Sequence, residues 1–92
     1  MTAFLEKYSH TLIEKILQAS TQEEVKCLCD ASVTWLEGRR VTATYINQFA
    51  ENGIKALHQF TPMNSDVVQW TNISAARIYL HRIKKNYPFT IQ

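Results

Sequence analysis

The stretch Arg40-Val41-Thr42-Ala43-Thr44-Tyr45-Ile46, RVTATYI, can be read two ways. It alternates and is rich in β-branched residues, so taken alone it is a strand. A longer window reverses that reading. Thr42, Tyr45, Ile46, Phe49, Ala50, Gly53, Ile54, Leu57 and Phe60 recur at the three- and four-residue spacing of one helical face. Asn47, Glu51, Lys55 and His58 fall on the other face. The segment is therefore read as a helix over about 42–60, stopped by Pro62. Gly53 sits inside the apolar stripe, where glycine costs ~1 kcal/mol against alanine, so a neighbouring helix is expected to cross close to it.

The flanking segments repeat the helical period. Phe4, Leu5, Tyr8, Leu12, Ile13, Ile16 and Leu17 make one stripe, giving a first helix over about 3–18. Thr21 and Glu24 have the spacing of a capping box and open a second helix over about 22–37. Its apolar face is Val25, Leu28, Cys29, Ser32, Val33, Trp35 and Leu36, and Gly38 is expected to end it at positive φ. A fourth helix spans about 65–85, capped by Asn64 or Ser65, with Asp66 in its first turn. Val68, Ile73, Ala76, Tyr79, Leu80 and Ile83 form its expected inner face. Gln69 and Asn72 intrude on that face and need hydrogen-bond partners if buried. Pro88 biases Tyr87 towards extended backbone, so a short tail begins near 87, with Tyr87 and Phe89 expected to fold back.

Four amphipathic helices with short connections point to an all-α, antiparallel up-and-down bundle in a single domain over 1–92. Hydrophobic residues at 46% and charged residues at 20% argue against disorder, and two glycines and two prolines suit long helices. The amino-terminal stretch does not read as a signal peptide, and no run approaches the ~20 apolar residues of a membrane span. With only two cysteines there is no disulfide framework, and the expectation is a cytoplasmic protein without membrane attachment.

Reactive constellations are few. Cys27 and Cys29 lie two residues apart on one helix and face apart, so they neither bridge nor share an ion. Cys29 is read as core and Cys27 as an exposed thiol. Glu6, His10 and Glu14 share a face of the first helix and are read as a solvated face rather than a metal site, and His58 is likewise read as surface. The chain has no phosphate-binding glycine loop, no nucleophile elbow and no histidines at one-turn spacing. No enzyme, metal or cofactor is expected. An enzyme would need a cavity joining His10 or His81 to a carboxylate.

The fourth helix carries the most informative surface. The net charge is +2, but residues 67–92 hold Arg77, Arg82, Lys84 and Lys85 with no acid. Opposite the inner stripe stand Trp70, Ser74, Arg77 and His81, followed by Lys84 and Lys85 and flanked by Val67 and Ile78. Tryptophan and arginine are enriched at binding hot spots, and apolar clusters on a polar face mark contacts. Two readings stay open: a partner-binding face, or a splayed bundle that takes Trp70 into its core. The expected function is a small interaction or regulatory protein that binds another protein, or a second copy of itself, through this helix. The alternative is nucleic-acid binding by the basic carboxy-terminal helix, which an isoelectric point near 8.6 supports weakly.

Overall fold

The computed structural model describes the chain from Thr2 to Tyr87, with side chains from Lys7 onward. It is an all-α four-helix bundle: α1 (Thr2–Gln18), α2 (Gln22–Gly38), α3 (Ala43–Leu57) and α4 (Val67–Asn86), with a 3-10 turn at Pro62–Asn64. Phe89 and the rest of the expected tail lie outside the described residues.

RVTATYI resolves as the entry to α3. Thr42 keeps extended backbone (φ −74°, ψ 161°) and its Oγ1 accepts from the Tyr45 amide at 3.2 Å. Its β preference is used at the cap, where extended backbone is required. Thr42 is thus not part of the buried face. At α2, Thr21 Oγ1 accepts from Glu24 N at 3.1 Å, as the spacing predicts. The Glu24 carboxylate accepts from Ser20 N at 2.6 Å, one residue ahead of the expected amide.

The end of α2 differs from expectation. Gly38 is the last helical residue, no glycine has positive φ, and Arg40 takes the left-handed conformation at φ 58°. Arg39 N still donates to Trp35 and Leu36, and Arg40 N to Glu37, so helical bonding runs past Gly38 and delays the reversal. α3 ends at Leu57 rather than Phe60, because His58, Gln59 and Phe60 donate three residues back and tighten the chain. The cap of α4 is Asp66, not Asn64 or Ser65. Asp66 Oδ1 accepts from Gln69 N at 2.7 Å and Gln69 Oε1 accepts from Asp66 N at 3.4 Å, which removes Gln69 from the inner face.

Helix directions follow from cross-helix contacts. Tyr8 of α1 stacks on Trp35 of α2, so the two run antiparallel. Asn47, early in α3, reaches the last carbonyls of α4, so these two are antiparallel as well. The Tyr87 hydroxyl donates to Glu37 at 2.7 Å, which puts the carboxy-terminal ends of α2 and α4 together. The chain therefore alternates in direction, yet α1 neighbours both α2 and α3, α4 neighbours the other three, and α2 and α3 barely touch.

Phe49, Ile16, Leu36, Ile46, Leu57, Ile73, Leu80 and Val25 are fully buried in one core, each burial contributing about 1.5–3 kcal/mol before conformational entropy is counted. Gly53 lies under Leu80, which confirms the expected close approach. Asn72 is buried and donates to Ile16 O at 3.3 Å and Ala19 O at 2.7 Å, satisfying the end of α1. Asn47, expected on the polar face, is buried and does the same for α4, donating to Lys84 O at 3.1 Å and Tyr87 O at 2.8 Å. Val68, expected inside, is exposed, and Ala75 is buried, because α4 packs on three helices and its buried arc is rotated from the apolar stripe. Among the described residues no helix is long and apolar enough to cross a membrane.

Candidate functional site

The residues singled out on α4 separate into two strips. Trp70, Arg77 and Lys84 recur every seven residues and lie on the flank towards α3, where the Lys84 ammonium binds Glu51. Trp70 and Arg77 are half-buried, and Trp70 packs against the core. Ser74 is half-buried; His81 and Lys85 are exposed. Val67, Ser74, Ile78 and Lys85 fall within about 40° of one another on the helix and form its outward ridge.

Two of these ridge residues, Val67 and Ile78, are large exposed hydrophobics. Met63, Val67, Val68 and Ile78, exposed by 96%, 83%, 52% and 54%, are the exposed large hydrophobic residues among those described. All four lie within the turn before α4 or on α4 itself. Val67 and Ile78 are visible from sequence as flanking residues. Met63 is not, because a single methionine in a turn carries no periodic signal. A shallow depression between the starts of α2 and α4, lined in part by Thr21, Val67, Val68 and Thr71, continues this surface.

The charges around it are partly committed. Lys84 draws the Glu51 carboxyl below its ordinary value, chiefly through the hydrogen bond between them. The Tyr87 hydroxyl is pushed up by its bond to Glu37. Arg39 and Arg40 share the bundle end occupied by Lys85, since Glu37 and Tyr87 join there. The Arg39 guanidinium lies 4.4 Å from the Trp35 ring centroid, and the opposite partner of Trp35 is Tyr8, stacked at 4.6 Å and 7°.

The other candidates disperse. His10 pairs with Glu14 at 3.0 Å on exposed surface, while the Glu6 side chain lies outside the described residues. The depression containing His10 is lined also by Ser9, Asn52, Lys55, Ala56 and Gln59, with no carboxylate. Ser9 Oγ is buried without a hydrogen-bond partner among the described residues. His58 is an exposed residue at the end of α3. Cys29 is fully buried, with its thiol pushed up to about 12 by burial, and Cys27 is exposed, as their spacing predicts. No cluster of three metal-ligating side chains occurs among the described residues. Comparison with protein-family models, with curated proteins and with solved structures finds no match to this chain.

Proposed function

We propose that the protein is a small non-enzymatic interaction module that binds another protein through the outward surface of α4. The observation that carries this reading is the grouping of Met63, Val67, Val68 and Ile78, the exposed large hydrophobics of the described chain, on one helix and its leading turn. Grouped apolar exposure next to polar and basic residues is the composition of a contact surface. Ser74, His81 and Lys85 supply its polar rim, with Arg77 and Trp70 on the α3 flank. Lys84 is engaged by Glu51, which removes one cation from the basic end and weakens the nucleic-acid alternative.

The test compares capture by the wild-type chain with capture by Ile78→Glu and Arg77→Glu at moderate salt, with the melting temperature of each measured in parallel. A partner held by wild type and lost by a folded Ile78→Glu variant supports the reading. Recovery of nucleic acid, released between low and moderate salt, defeats it. Sedimentation of the purified chain decides whether the surface instead holds a second copy.

A further inference from the structure

A second surface lies away from α4. α1 and α2 leave a groove along their seam, about 230 Å³ in its central part, with Tyr8, Leu12, Leu28, Ser32 and Trp35 as its floor. The groove reaches Lys7 at one end and runs past Lys15 to Gln18 at the other, through depressions that share Tyr8, Trp35 and Leu28 with the central part. From Lys7 to Gln18 is about 17 Å along α1, or three turns. The opposite rim is low, since Ala31 of α2 stands there.

The charges lining its central part and its Lys7 end are cations, and an acid, Glu24, lines the far depression. Lys7 and Lys15 line it, and Arg39 covers the Trp35 ring at its end. Neither lysine has a carboxylate partner among the described residues. The nearby acids are engaged elsewhere: Glu14 with His10, Asp30 with Lys26, and Glu24, at the far end, with the Ser20 amide. A groove with an apolar centre, flanked by Lys7 and Lys15 without carboxylate partners among the described residues, fits a helix laid between two helices, with apolar residues inward and carboxylates along its edges. The aliphatic floor at Leu12 and Leu28 favours such a helix over a nucleic-acid strand, which needs stacking faces along its whole track.

We infer that the α1–α2 groove seats an acidic amphipathic helix of a partner protein, its apolar face on Leu12, Leu28 and Trp35 and its carboxylates beside Lys7, Lys15 and Arg39.

The experiment selects a displayed library of random peptides of about 14 residues, close to four helical turns, on the full chain. The expected result is enrichment of net-negative sequences with apolar residues at helical spacing, whose binding shifts the amide resonances of Lys7–Lys15 and Leu28–Arg39. Lys7→Glu/Lys15→Glu and, separately, Ala31→Glu should each weaken binding by at least about tenfold, whereas Ile78→Glu leaves it unchanged. These positions are exposed, and a thermal melt of each variant establishes that it is folded; Ala31→Gln stands in for any that is not. Absence of enrichment, enrichment of basic or neutral peptides, resonance changes confined to α4, or displacement of the peptide by a single-stranded oligonucleotide would each overturn the inference.

Discussion

Leu80 of α4 lies across Gly53 of α3, so that a β-carbon on Gly53 would stand 2.9 Å from Leu80 Cδ1. The glycine is the place where the most extensively packed helix pair makes its close approach. Leu80 is fully buried and has little room to yield.

Gly53→Ala should therefore fall within about 1 kcal/mol of wild type, because the gain in helix propensity opposes the new crowding. Gly53→Val, branched and larger, should lose about 2–3 kcal/mol. In denaturant titrations, Gly53→Ala combined with Leu80→Ala should be less destabilised than the sum of the two by more than about 0.5 kcal/mol. Strict additivity would show that the close approach carries no energy.

Asn72→Ala should cost about 2–4 kcal/mol, since it opens a small cavity and strips the buried Ile16 and Ala19 carbonyls of their shared donor. Asn72→Asp, which keeps the shape and replaces the donor by a charge, should be the worse variant at neutral pH. It should recover part of the loss in acid, where its carboxyl group regains a proton. Urea unfolding at neutral and acidic pH checks both, and equal stability of the two variants at neutral pH would contradict the assignment.

One thiol should react quickly with a disulfide reagent in the folded chain, and the second only on unfolding. Cys27 is the exposed one; Cys29 is buried, with its thiol near 12, so little thiolate forms. Cys27→Ser should abolish the fast reaction, while Cys29→Ser should leave it intact.

The ion pair of Glu51 and Lys84 should appear as a pH-dependent stability. A carboxylate held below its ordinary value of 4.5 stabilises the fold above that pH, and the contribution is lost as pH falls through the lower folded value. The pair is partly exposed, so wild type should exceed Glu51→Gln by only about 0.5 kcal/mol at neutral pH. The gap should close in acid, and a gap that persists in strong acid would assign the effect to packing instead.

Periodicity made much of this fold legible. The α3 stripe, the opposite faces of Cys27 and Cys29, the Thr21 cap and the close approach at Gly53 all depend on local spacing, which the sequence displays directly. The burial of Asn47, the rotation of Val68 outward and the left-handed Arg40 depend on which helices adjoin and where hydrogen bonding happens to stop. No spacing rule encodes those. The candidate surface divided in the same way: Val67 and Ile78 stand out as apolar residues on a polar face, whereas the exposure of Met63, in the turn before α4, is seen only in the structure. The seam between α1 and α2 was invisible for a related reason, since Tyr8 and Trp35 each read as core within their own helices.

The two buried asparagines have a consequence for alignment. Asn47 grips the end of α4, and Asn72, some 12 residues earlier on α4 and so about 18 Å away, grips the end of α1. An apolar stripe slid by one turn, about 5.4 Å, meets another apolar stripe and still buries carbon against carbon. The two amide contacts have no such second setting, and both would break together. They act as a key and its keyway, giving α4 a single axial position that greasy surfaces alone would leave free to wander.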